Sequence, residues 1–202
     1  MNLAIWDGYI FDTNTYARLC STSAARDLEW IVVCNGSEIS GVPKDWELSV
    51  LGPPLDIAGW SANDASLVLM LEIRFADNQR LRLLTTGDIE TDGEAALLEH
   101  EDLYSQLLKL PHHGSPTSSS PEFIAAVQPD ITVATRAGRW ASSRHKMSYE
   151  AIERLRSGGF PVYITGDDGA LLFEPALENG EAKWRLVDWR NPSFGRWLLG
   201  QI

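Results

Sequence analysis

The chain has 202 residues, 44% of them hydrophobic and 22% charged, with a formal net charge of −11. This is enough for one domain with a real core, and no apolar run approaches the ~20 residues that span a membrane. Such an acidic surface repels nucleic acid in general, so a nucleic acid substrate requires a local basic patch or a bound metal cluster.

The N-terminus "MNLAIWDGYIFD" lacks a basic segment followed by an apolar one. No signal peptide is expected, and the expected location is cytoplasmic. Cys20 and Cys34 show no CxxC spacing, which argues against a structural zinc cluster. Two buried free thiols are expected instead. Strands are predicted at 29–34 and 47–51, then at 66–75 and 79–87, the last two joined at Asp77 and Asn78 as a β-hairpin. "DGEAALLEH" (92–100) has helical composition with Asp92 as its cap. "LLKLP" (107–111) is another strand.

"SPEFIAAV" (120–127) opens a helix, with Ser120 at the N-cap and Pro121 at the first helical position. "DITVAT" (130–135) reads as a strand and "SYEAIERLRSGG" (148–159) as a helix stopped by glycine. "PVYIT" (161–165) and "GALLFEP" (169–175) read as strands joined by the turn "GDDG", with Asp167 and Asp168 at a hairpin tip. The tail supplies one more strand and a Trp-rich extension from about 176. The whole reads as a single α/β domain.

Ligand sites in layered α/β folds gather at the carboxyl ends of strands. Asp88 follows one predicted strand, and His112 and His113 follow the next in "LPHHGSPTSSS". Two consecutive junctions thus bring metal-competent groups to one sheet edge. Hard oxygens and borderline nitrogens together suit Zn or Mn. His100 is expected to end its helix and favour the dipole. Arg136, Arg139, Arg144 and Lys146 form the densest basic group, either a solvated loop or a phosphate contact.

The segments "LLTTGDIE" and "LPHHGSPTSSSPEF" resemble the C-terminal metallo-β-lactamase-like domain of the ComEC competence protein family and its soluble relatives. The resemblance runs from about residue 3 to about residue 174. It implies a layered αββα metallohydrolase fold, nuclease-like phosphodiester hydrolysis during DNA uptake, and a binuclear Zn or Mn centre. Asp88 matches the aspartate expected to bridge two metals, and His112 and His113 match the paired histidines of the late metal motif. Ser115, Thr117 and Ser118 match positions lining the phosphate side, and His145 a histidine before the last helix.

The family's earlier HxHxDH motif has no counterpart here, since all four histidines lie at 100 or later. The sequence therefore reads as the second half of the fold. Three explanations stand open: a first half on another chain, a truncated gene, or a non-catalytic binding or scaffold relative. The implied partners are an N-terminal half-domain chain or a second copy, with nucleic acid, another phosphoester or a lactone as substrate.

Overall fold

The computed structural model describes residues 3–10, 13–26, 28–37, 39–137 and 149–187. β1 (Leu3–Trp6) and β2 (Glu29–Val32) pair in parallel as a separate two-stranded sheet, with α1 (Asn14–Ala24) between them in the chain. The sequence reading assigned neither β1 nor α1. Thr13 starts α1 by accepting from Tyr16 N. The helix is rich in Ser and Thr and buries only Ser23, so it carries no apolar stripe by which to be recognised.

The central sheet has six strands in the order β3-β4-β5-β6-β7-β8. β3 (Trp46–Gly52), β4 (Val68–Arg74) and β5 (Arg80–Thr85) are antiparallel. β6 (Leu107–Lys109), β7 (Ile131–Ala134) and β8 (Val162–Ile164) continue from β5 in parallel. The β4–β5 hairpin turns at Asp77 and Asn78, both at positive φ, as their short polar side chains allow. Leu81 and Leu84 point to opposite faces of β5 and are both fully buried, so this strand is covered on both sides.

Helices fill the parallel crossovers. α2 (Thr91–Leu97) lies between β5 and β6, α3 (Pro121–Val127) between β6 and β7, and α4 (Glu150–Ser157) between β7 and β8. Phe123, Ile124, Val127, Ile152 and Leu155 pack with Leu84, Leu108, Leu110 and Ile164 in one core. Ser120 caps α3 as expected, accepting from Phe123 N at 3.2 Å.

Five expectations are corrected. Asp92 does not cap α2. That helix begins at Thr91, and its cap comes from Asp64, whose Oδ1 accepts from Glu90 N at 2.8 Å and Gly93 N at 2.9 Å. His100 lies beyond the end of α2, where its Nε2 bonds Leu51 O at 3.1 Å and ties that end to β3. "GDDG" is not a hairpin tip: Thr165–Asp168 form one helical turn, α5, and Asp168 Oδ2 accepts from Ile164 N. β8 stays in the central sheet, while β9 (Leu172–Glu178) pairs with β10 (Glu181–Val187) in a hairpin that turns at Asn179 and Gly180. Helix 148–159 is shorter at its start, with Tyr149 preceding α4 and Gly158 ending it. Both cysteines are free, but Cys20 is exposed and Cys34 half-buried.

The β9–β10 hairpin reaches the central sheet through Trp184, whose indole N–H donates to Arg82 O at 3.1 Å. Gln79 adds two bonds to the same hairpin, at Gly180 O and Ala182 N. Among the described residues no helix is long and apolar enough to cross a membrane.

Candidate active site

β5 and β6 are adjacent and parallel, so their C-terminal ends open onto the same edge. Thr86 Oγ1 ties the two ends together by donating to Lys109 O. Past β5 the chain turns at Gly87, φ 57°. A Cβ there would lie 2.5 Å from Ser66 Cβ, so glycine is required by both conformation and space. Ser66 Oγ accepts from Asp88 N at 3.0 Å and fixes the carboxylate's base.

Past β6 the backbone does something rarer. His112, His113 and Gly114 are all left-handed, at φ 43°, 56° and 74°. Side-chain-bearing residues resist this region by about 1–2 kcal/mol each, and such strain concentrates at functional sites. The turn is held by His112 N donating to Gly87 O and by Ser115 N donating to His112 O. It splays the two rings, which sit 6.2 Å apart at 61°.

The histidines therefore take different partners. His113 Nε2 lies 3.5 Å from Asp88 Oδ2, and its Nδ1 bonds Thr135 Oγ1 at 3.0 Å. His112 turns to Glu90, with Nδ1 3.0 Å from Oε1. The second Asp88 oxygen faces Lys109, whose Nζ is 3.4 Å away and also donates to Gly87 O at 2.5 Å. Burial pushes the Lys109 ammonium below its ordinary pKa, against the pull of Asp88.

The hydroxyl run is bound into the same network. Thr117 is exposed and Ser115 and Ser118 are buried. Thr117 Oγ1 donates to Glu90 Oε1 and lies 2.9 Å from Ser115 Oγ. Ser118 Oγ faces Pro111 O and Ser115 O. Behind them, buried Glu94 accepts from Ser119 N and Ser120 N, while Arg154 on α4 donates to Ser118 O and Ser119 O. The loop is thus gripped from α2 by its amides and from α4 by its carbonyls.

Of the candidate site residues, Asp88, His112, His113, Ser115, Thr117 and Ser118 meet at one sheet edge. His145 lies outside the described residues, as do Arg139, Arg144 and Lys146. Arg136 is largely buried, with its guanidinium 4.3 Å from the Tyr149 ring centroid. Four contributors were missed in the sequence. Lys109 was visible as the one charge in "LLKLP", and Glu90 as the acid two residues beyond Asp88. Asp64 and Glu94 had no local signal, because their partners lie 25 to 29 residues away.

A divalent ion in the implied binuclear centre takes roughly three or four protein donors. Asp88 and His113 are two that converge, His112 turns its Nδ1 to Glu90 rather than toward Asp88, and the Lys109 ammonium sits on one Asp88 oxygen. Among the described residues no group of three or more His, Cys, Asp or Glu converges to hold a metal. The described donor set therefore does not complete such a centre.

Competence protein ComA of Neisseria gonorrhoeae is 43% identical over 94 residues, covering 45% of this chain and 13% of that protein. The chain is similar to competence proteins. ComE operon protein 3 of Bacillus subtilis is 28% identical over 131 residues, 64% of this chain and 16% of that protein. Recombination protein 2 of Haemophilus influenzae is 27% identical over 141 residues, 67% of this chain and 17% of that protein. The chain spans less than a fifth of the length of these relatives. No family model matches it.

Proposed function

We propose that this chain carries one side of a phosphodiester-hydrolysing centre of the metallo-β-lactamase type, acting on DNA in a competence-related role. Asp88 and His113 are its converging donors, with His112 beside them and Ser115, Thr117 and Ser118 forming the adjoining wall. The remaining donors come from a partner chain carrying the first half of the αββα layering or from a second copy. The observation that carries this reading is the left-handed turn at His112 and His113. Strain of that kind persists where the surroundings over-determine it, and here it aims one imidazole at the Asp88 carboxylate. The similarity to a competence protein supports the choice of DNA as the substrate class.

The test is Mn²⁺ binding to the purified chain by calorimetry, with Asp88→Ala and His113→Ala beside it, followed by cleavage of a DNA fragment. The expected result is weak Mn²⁺ or Zn²⁺ binding that both substitutions abolish, with a cleavage rate near background. Adding a first-half chain should restore Asp88-dependent cleavage. Metal binding indifferent to Asp88→Ala overturns the reading.

One contact favours a second reading, a binding or scaffold subunit without catalysis. Lys109 and His113 flank Asp88 on its two oxygens, so the carboxylate has cationic and imidazole partners from its own chain. DNA retention that survives Asp88→Ala, with no cleavage under any metal or partner condition, selects that reading.

A further inference from the structure

We propose that Glu90 is a positioning residue that holds the His112 imidazole as its Nδ1–H tautomer, leaving Nε2 as the ring's basic nitrogen. The proposal deepens the hydrolase reading above and rests on it for its catalytic consequence, but not for its geometry.

The directions of the hydrogen bonds follow from what each group can donate. An ionised carboxylate only accepts, so the proton of the 3.0 Å His112–Glu90 contact sits on Nδ1. Thr117 Oγ1 also donates to Glu90 Oε1. Its single proton is thereby used, and the 2.9 Å contact with Ser115 is made by the Ser115 hydroxyl donating to Thr117. Ser115 Oγ in turn is the acceptor for Thr117 N at 3.5 Å. Every donor in this chain of bonds runs toward Glu90.

The His112 and Glu90 side chains are half-buried, 24% and 26% exposed, while Thr117 lies at the exposed end of the chain of bonds. The backbone adds a second restraint. His112 is locked in the left-handed turn by its N–H to Gly87 O, and Glu90 N is held by Asp64. Both side chains therefore leave fixed backbone positions. Which ring nitrogen is free to act is set by the bond the other one makes. A ligating or proton-accepting histidine is commonly fixed by a carboxylate in this way, and removing that partner typically lowers affinity or activity about 10–100-fold.

The test reads the tautomer directly. The intact chain is labelled with ¹⁵N at its histidine rings, and long-range ¹H–¹⁵N correlations are recorded near pH 8, with His112→Asn assigning the signal. The expected wild-type signature is a pyrrole-type Nδ1 and a pyridine-type Nε2. Glu90→Ala should shift His112 toward the Nε2–H form that free histidine favours. Glu90→Gln, whose amide oxygen still accepts, should keep most of the wild-type signature. A wild-type His112 already in the Nε2–H form overturns the inference, and this holds even if Glu90→Ala fails to fold. An unchanged tautomer in a folded Glu90→Ala chain overturns it as well. The two proposals fail separately: Mn²⁺ binding indifferent to Asp88→Ala sinks the hydrolase reading and leaves the tautomer result standing.

Discussion

His113 Nε2 and Lys109 Nζ lie on different oxygens of one carboxylate, at 3.5 Å and 3.4 Å from Asp88. The ammonium is a monovalent cation already in the place a divalent ion must approach. Two unit charges at this separation interact by roughly 5 kcal/mol at an effective dielectric of 20. Lys109→Met should therefore tighten Mn²⁺ or Zn²⁺ binding by about tenfold, the equivalent of about 1.4 kcal/mol. Calorimetric titration checks this, and weaker binding in the variant contradicts the competition.

Gly87→Ala should destabilise the fold by about 2 kcal/mol or more, since a left-handed residue gains a side chain with no room for it. The Cβ would meet Ser66 Cβ at 2.5 Å and Ser66 Oγ at 2.8 Å. Ser66 is also the anchor of Asp88 N. Urea unfolding should show a lower midpoint, and Asp88-dependent metal binding should fall with it.

Glu94 offers a pH prediction. Burial raises its carboxyl above the ordinary value, although the Ser120 hydroxyl, the Ser120 and Ser119 amides and Arg154 pull the other way. The native state then binds a proton more tightly than the unfolded chain. The contribution to stability is complete below the ordinary carboxylate value and is lost as pH rises through the raised one. Glu94→Ala should remove this slope from the stability–pH curve. It should also cost about 1–3 kcal/mol, chiefly by stranding the buried Ser119 amide. A variant with the wild-type slope contradicts the assignment.

Glu72 has the opposite sign. Burial alone would raise its carboxyl, but the bonds and charges of Arg82, Arg74 and Arg80 hold it below the ordinary range. Its stabilisation is present above the ordinary value and disappears as pH falls through the lowered one. Arg82→Met should flatten that acid limb and raise the pH midpoint of acid unfolding, as followed by circular dichroism.

Association should be measurable too. Ile31 and Val32 on β2 are 39% and 57% exposed, in a sheet that has two strands among the described residues. Sedimentation should detect a species larger than the monomer, and Val32→Glu should shift it toward monomer. A wild-type chain that stays monomeric at high concentration contradicts this.

The sequence carried the parts of the site that depend on local chain direction. Asp88 and His112–His113 could be placed on one edge because each follows an apolar strand, and adjacent strands put their ends together. The division of labour between the histidines was not legible, because it depends on three successive positive φ values. Nor was the true cap of α2, since Asp64 arrives from another loop. "GDDG" misled for a related reason. Its composition suits a hairpin turn and a helical turn equally, and only the sheet assignments of β8 and β9 distinguish the two.

The two-sided grip on residues 118–120 has a consequence for synthesis on the ribosome. Glu94 precedes that loop in the chain and Arg154 follows it by more than thirty residues. A nascent chain that has emerged only through α3 has the amide half of the clasp without the carbonyl half. The wall beside the histidines is fully fastened only once α4 has left the exit tunnel, which makes α4 the last bolt in the assembly of this edge.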